Sequence, residues 1–287
     1  MSAIYKRELR SYFCGMTGPI FAAFLLLITG IFVTALNFTS GYPGMEAALS
    51  SVIFIFLLVV PIITMRSFSE DMHNRTDQLL FSLPMKLSSV VLAKYLAMVT
   101  VLFLPTAVMC LYPLILSFYG TVNFAAAYGA ILGFFALGCA LIAIGMFLSS
   151  LTESQVIAAV LTFAVFILMY LMTGLSTLIP ETAGASLAAF LLCAVAVALI
   201  LYALTKNTTA AVCAGAVLAL GIAAFYLVNA SAFEGAFHDL LAGLTLFDRF
   251  SNFANGIFDL ASLVYYISVA GLFVFFTVQS MEKKRWA

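Results

Sequence analysis

Apolar residues run along this chain in blocks far longer than the core of a water-soluble domain requires. Eight such runs cover residues 19–38, 47–65, 89–118, 124–148, 155–179, 187–204, 210–229 and 260–280. A helix of about 20 apolar residues crosses a hydrocarbon layer of about 30 Å. Helices are expected because lipid leaves every backbone N–H and C=O to be paired internally. The alternating pattern of outer-membrane barrel strands is absent. The pattern therefore predicts an all-α polytopic membrane protein with about eight transmembrane helices. Its narrowest division lies between 187 and 229, where only Thr205–Thr209 separates two runs.

Two further segments are periodic without being long enough, or apolar enough, to span. Near the N-terminus, Ile4, Tyr5, Leu9, Tyr12 and Phe13 share one helical face, opposite Lys6, Arg7 and Arg10. This reads as an interfacial helix over residues 1–15. Over residues 230–259, Phe233, Phe237, Leu240, Leu244, Phe247, Phe250, Phe253 and Ile257 recur at three- and four-residue steps among polar residues. That segment reads as amphipathic helix lying on the outer face.

The remaining polar stretch, Arg66 to Lys94, is wedged between the second and third runs. It holds seven of the chain's 24 charged residues. Phe68, Met72, Leu79 and Leu83 step along it by four, seven and four residues and supply an apolar docking face, while Glu70, Asp71, Arg75 and Gln78 populate other faces. Pro84 ends the segment. Its plain alternative is a solvated loop capping two spans.

Composition reinforces the membrane reading. The 287 residues are 65% hydrophobic and 8% charged, against about 25% charged in soluble domains. Net charge is zero, so no nucleic-acid partner is implied. With the N-terminus inside, eleven Lys and Arg fall in cytosolic segments and only Arg249 outside, whereas the acidic residues divide evenly. Basic residues alone set orientation, so the expected topology is N-in/C-in, with the Arg66–Lys94 stretch in the cytosol. Lys94 is expected to snorkel toward the interface. The run from Pro19 to Phe38 is too long for a signal-peptide core and lacks a small-residue cleavage site, so it reads as an uncleaved span.

Chemistry-bearing motifs are scarce. The sequence has no P-loop signature, no nucleophile elbow and no metal-ligand spacing; His73 and His238 are isolated, and Cys14, Cys110, Cys139, Cys193 and Cys213 read as small apolar filler. No Asp, Glu, Lys, Arg or His occurs between Tyr95 and Leu148, or between Gln155 and Ile179. Carriers driven by ion gradients place ionisable relays in mid-membrane, so energy is expected to enter from outside the bilayer, with the Arg66–Lys94 stretch as the inlet. Gly129 and Gly133 are spaced for close helix approach within one subunit.

The sequence MRSFSEDMHNRTDQLLFSLPMKLSSVVLAKYLA resembles the cytosolic loop of type-2 ABC exporter permeases, in particular the gliding-motility and copper-enzyme-maturation branch. Met65, Arg66, Phe68, Ser69 and Glu70 match its opening, Thr76, Leu79, Leu80, Ser82 and Pro84 its middle, and Val91, Leu92, Lys94, Tyr95, Leu96 and Ala97 its end. A second match, Phe250, Phe253, Gly256, Asp259, Tyr265, Ser268, Glu282 and Trp286, is similar to that branch's closing segment. Where the branch has Gly before Thr76 this chain has Arg75, and where it has Glu two residues after that Thr it has Gln78.

The resemblance implies one transmembrane permease domain over 1–287, with residues 66–88 as a cytosolic coupling segment. Glu70, Asp71, Arg75 and Gln78 would contact an ABC ATPase subunit, and Phe68, Met72, Leu79 and Leu83 would form the docking face. Phe250, Phe253, Gly256 and Asp259 would stand at the outer gate, and 187–229 would be a span pair added to a six-span core. The chain would hold no cofactor, with ATP-Mg on the partner subunit. A homodimer or a pseudo-dimer with a second permease, an auxiliary extracytoplasmic protein, surrounding lipid and a bacterial cytoplasmic membrane complete the expectation. Its rivals are a membrane anchor or assembly protein that recruits a cytosolic factor without transporting, and an intramembrane lipid enzyme, the latter disfavoured for want of paired catalytic groups.

Overall fold

The computed structural model describes residues 2–41, 44–76, 86–178, 182–205 and 245–286, together with isolated positions between 216 and 243. Among the described residues the structure is helical, without strands. The first helix, α1 (Ser2–Cys14), turns through Met16, which sits in the left-handed region at φ 60°. The first apolar run follows as α2 (Thr17–Val33), continued by a π turn over Thr34–Thr39. The second run is broken: α3 (Met45–Val52) passes through a 3-10 turn at Ile53–Ile55 into α4 (Phe56–Thr64), which contains Pro61. A short helix, α5 (Ser69–His73), opens the polar stretch.

The third run is also interrupted. It forms α6 (Leu87–Met109) and, after two residues, α7 (Tyr112–Leu116), with Pro113 at its second position. Proline lacks the N–H a continuing helix needs but fits a first turn. The fourth and fifth runs give α8 (Phe124–Ser149) and α9 (Gln155–Leu178); the sixth gives α10 (Ala183–Thr205). The chain closes with α11 (Ser251–Ala254) and α12 (Leu260–Trp286).

Six helical stretches among the described residues are long and apolar enough to cross a membrane: Thr17–Thr39, Met45–His73, Leu87–Leu116, Phe124–Ser149, Gln155–Met172 and Leu260–Arg285. They coincide with the first five and the last of the eight runs. The seventh run, 210–229, falls almost wholly outside the described residues.

The chain divides into two compact units, one of residues 1–168 with 249–287 and one of 169–248. In the smaller unit, Phe190 meets Phe233 and Phe237 edge-on at 5.8 and 5.2 Å, and Tyr226 meets Phe233 at 5.4 Å. The aromatic periodicity read from the sequence is here an interior contact.

The larger unit is organised on α8. Its window is 72% buried, and small residues along it let neighbours approach. A Cβ on Gly138 would stand 2.6 Å from Leu102 of α6, and one on Gly145 would stand 2.5–2.9 Å from three side-chain atoms of Thr64 on α4. Phe56 and Phe134 stack at 4.3 Å beside this seam. The glycines act as holes into which knobs from α4 and α6 fit, as small-residue interfaces do in membranes. Gly133 plays the same part near α11, where it receives the ring of Phe253, whereas a Cβ on Gly129 would make only ordinary contact with Phe258.

Thr64 is fully buried and its hydroxyl already donates to Val60 O at 3.0 Å, so it has little freedom to withdraw. Gly145→Ala is expected to cost about 1–3 kcal/mol through overpacking, read as a lower melting temperature of the purified protein in detergent. Gly174→Ala, where an added Cβ meets no atom within 4 Å, is the matched control and leaves it unchanged.

Candidate functional site

The described part of the polar stretch, residues 66–76, is tied into the ends of four helices. Lys94 lies on the eighth residue of α6 and is only 3% exposed. Its ammonium reaches Asp71 Oδ2 at 2.8 Å and Glu8 Oε1 at 3.2 Å, donates to Ser67 O at 2.7 Å and stands 5.2 Å from the centre of the Phe68 ring. Three directional donors and three acceptors match. A charge buried this deeply is tolerable only when paired and hydrogen-bonded.

This arrangement differs from both charge readings made on the sequence. Lys94 does not snorkel, because carboxylates on α1 and α5 meet it inside the protein. Asp71, assigned to a partner's surface, turns inward to Lys94, and its other oxygen accepts from Thr76 Oγ1 at 2.9 Å. Glu70 is held by Arg66 in a two-pronged pair, Nε to Oε2 at 2.8 Å and Nη2 to Oε1 at 3.0 Å, yet its side chain remains one-third exposed.

The far side of α5 is fixed by polar groups at the end of α8 and of α12. Ser149 Oγ accepts from Phe68 N and Ser69 N, both at 3.3 Å, and donates to Met65 O; Ser69 Oγ also donates to Met65 O. The hydroxyl thus stands in for a helix cap that the chain's own sequence does not supply. Lys284 Nζ donates to Ser150 O at 2.8 Å and to Met72 Sδ at 2.9 Å. Phe68 and Met72 are buried, as a docking face requires. Gln78, Leu79 and Leu83 lie outside the described residues.

The end of α5 explains one departure from the family pattern. Thr76 N donates to Asp71 O at 2.8 Å and Arg75 N to Met72 O at 3.1 Å, with Arg75 at φ 56°. This is the Schellman stop, whose left-handed residue is usually glycine. The glycine of the related motif belongs at this position, and Arg75 occupies it with a Cβ. Its side chain is exposed, together with His73 and Asn74.

The N-terminal helix is anchored to the same knot. Ile4 packs on Val90 and Ala93 of α6, Tyr5 Oη and Thr100 Oγ1 are 2.9 Å apart, and buried Tyr12 donates to Ile63 O at 3.3 Å. Its apolar face, read from the sequence as lipid-facing, is therefore partly spent on α6 and α4. Arg7 bridges Glu8 at 2.8 Å, and this hydrogen bond holds the guanidinium pKa above its ordinary value. Burial pushes the Tyr12 phenol up.

At the opposite end of the larger unit the four residues assigned to an outer gate do come together. Phe250 and Phe253 are each 1% exposed with ring centres 6.1 Å apart, and Gly256, at φ 75°, brings its Cα side against Ala126. Asp259 starts α12: it accepts from Asn252 Nδ2, Ala261 N and Ser262 Oγ at 2.8, 2.9 and 2.6 Å. The Ser262 hydroxyl, followed by Asn252, holds its carboxyl below the usual range. Arg249 stacks on Tyr265, 4.0 Å from the ring centre. The group forms a closed aromatic wedge over α8.

The sequence reading missed Glu8, Ser149 and Lys284 as partners of the polar stretch. Lys94 carried the one available signal, a lone cation well inside an otherwise uncharged helix. Among the described residues no group of three His, Cys, Asp or Glu could hold a metal.

The family model for the ABC-2 family transporter protein matches residues 9–210 of the 287. The chain belongs to the ABC-2 transporter family. It is accordingly a multi-pass membrane protein and an ABC permease, a component of membrane transport. The kind of partner such a permease works with is a cytosolic ATPase. No curated protein and no solved structure matches the chain.

Lys94→Met leaves Glu8 and Asp71 facing each other without their shared cation. It is expected to destabilise the purified permease by about 3–5 kcal/mol and to raise amide exchange over residues 2–14; Lys284→Met leaves exchange there unchanged. Arg75→Gly removes a left-handed strain of about 1–2 kcal/mol, offset in part by glycine's freedom in the unfolded chain. The expected net gain is about 1 kcal/mol, read as a raised melting temperature.

Proposed function

We propose that this permease is the membrane subunit of an ATP-driven exporter of the gliding-motility and copper-enzyme-maturation branch. ATP-Mg is bound and hydrolysed on a separate cytosolic ABC subunit, and the permease itself binds no cofactor. The chain lies N-in/C-in in a bacterial cytoplasmic membrane with eight spans, of which 187–229 supplies the added pair. Two permeases pair, as a homodimer or with a second permease chain, and an auxiliary extracytoplasmic protein completes the system.

The observation that carries the reading is the knot around α5. One five-residue helix is bonded to α1 and α6 through Lys94, to α8 through Ser149 and to α12 through Lys284. A push on α5 therefore reaches four helices at once, through the neutral Ser149 hydroxyl to α8 and through the charged Lys94 and Lys284 to the others, charge-assisted bonds being about twice as strong as neutral ones. The spans hold no ionisable relay of their own between Tyr95 and Leu148, so a mechanical input suits them. The water-facing residues of this segment, His73, Asn74 and Arg75 beside the one-third-exposed Glu70, form the contact with the ATPase. Asp71 acts inward, transmitting the movement, and Phe250, Phe253, Gly256 and Asp259 close the far end until it arrives.

Co-expression with candidate ABC ATPase subunits tests this. The two chains are expected to co-purify, with ATP hydrolysis stimulated by the permease. Arg75→Glu is expected to lower that stimulation at least tenfold while leaving the permease monodisperse. Hydrolysis indifferent to the permease would sink the reading.

A further inference from the structure

We infer that the chain carries a binding site for a primary ammonium head group, built around Glu46 at the end of the larger unit opposite α5. Its placement on the outer face rests on the orientation proposed above; the site itself rests on geometry alone. A polar pocket of about 460 Å³ opens there, lined among others by Gly44, Glu46, Thr121, Asn123, Asn255 and Gly256. It brings together the start of α3, the start of α8 and the turn before α12.

Glu46 is the unusual member. The residue is 7% exposed, its carboxylate oxygens open into the pocket, and among the described residues it makes no hydrogen bond or ion pair. Every other carboxylate buried to a similar degree in this unit has a partner: Glu8 meets Arg7 and Lys94, and Asp71 meets Lys94. A carboxylate on a largely buried residue that opens into a polar cavity with no cation beside it is placed to receive one. Glu46 is the second residue of α3, where a negative charge suits the helix terminus. That accounts for a negative side chain at this position, but not for its burial against a cavity.

The lining selects the ligand. Among the described residues the lining holds no Lys, Arg or His to neutralise Glu46. A calcium site takes six or more oxygens, commonly from several carboxylates; here there is one, and no cluster of metal-binding side chains occurs among the described residues. Among the described residues the lining also holds no aromatic ring, and quaternary ammonium groups are recognised by aromatic cages. What remains is a cation with several N–H donors. Three donors on one nitrogen suit a carboxylate oxygen supplemented by the amide and hydroxyl oxygens of Asn123, Asn255 and Thr121. The cavity exceeds the volume of an ammonium group, so the body of a larger amine also fits. Such a group can come from a soluble amine or from an ethanolamine lipid.

Saturation-transfer difference NMR with ethanolamine, against ethylene glycol as the neutral control, tests the site in the purified full-length chain in detergent. The ethanolamine signal is expected to exceed that of the glycol at least fivefold. It should fall to the glycol level in Glu46→Gln and stay within twofold in Glu153→Gln, a carboxylate exposed near the start of α9. Asn255→Leu, at an exposed position on the rim, narrows the pocket without touching α3 and is expected to reduce the signal at least threefold. Nanodiscs then separate the sources. Loss of the signal when phosphatidylethanolamine replaces phosphatidylcholine identifies the lipid head group as occupant, and persistence identifies a soluble amine. A wild-type signal no greater than the glycol's, or one that survives both Glu46→Gln and Asn255→Leu in monodisperse protein, overturns the proposal. None of these readouts involves ATP, so the site and the exporter reading fail separately.

Discussion

The arrangement of this permease turns on one buried ammonium. Lys94 sits where the first turns of α6 pass α1 and α5, and carboxylates from both helices converge on it. Without that cation, Glu8 and Asp71 would repel each other in a poorly hydrated place. With it, two helices that share no apolar interface are pinned to a third. Ser67 O and the face of Phe68 complete its environment, so the charge is stabilised from several directions rather than by one counter-ion. The rest of the knot, Ser149 under α5 and Lys284 against Met72, adds further hydrogen bonds around a helix too short to hold itself.

The spans were legible because the membrane imposes their length and composition. Two runs are interrupted in the structure, 47–65 into α3 and α4 at Ile53–Ile55, and 89–118 into α6 and α7 just before Pro113, while Pro61 and Pro105 lie inside helices. The amphipathicity of α1 was also legible, but a pattern shows that a face is apolar, not what covers it. Ile4 and Tyr12 face protein. The Asp71 pairing was not legible at all. Its cation lies 23 positions downstream and the second carboxylate 63 positions upstream, and charge on a polar stretch reads as solvated unless the fold is known. Arg75 shows the reverse. The sequence marked it as a departure from a motif, and the backbone supplied the reason, a left-handed helix stop that favours glycine.

The two ends of the larger unit treat charge differently. Around α5 the carboxylates of Glu8, Glu70 and Asp71 each have a cation, and this end is tied by directional bonds. Around α11 the aromatic wedge of Phe250 and Phe253 is closed by packing, Asp259 is absorbed by a helix start, and Glu46 stands without a cation beside a cavity. An input end built from directional bonds and an opposite end built from dispersion contacts yield unequally to force. Many weak contacts can slide past one another, whereas a charge-assisted network moves as a block.

The pairing of Glu8 with Lys94 also fixes an order of assembly. The two residues are 86 positions apart, so at a synthesis rate of about 5–20 residues per second the counter-charge of Glu8 follows it by on the order of ten seconds. During that interval Glu8 has only the neighbouring Arg7 as a counter-charge, and it stays hydrated at the membrane surface while α2, α3 and α4 insert. The N-terminal helix is thus the first element made and among the last to be secured, and its docking waits for the α6 span to enter the bilayer.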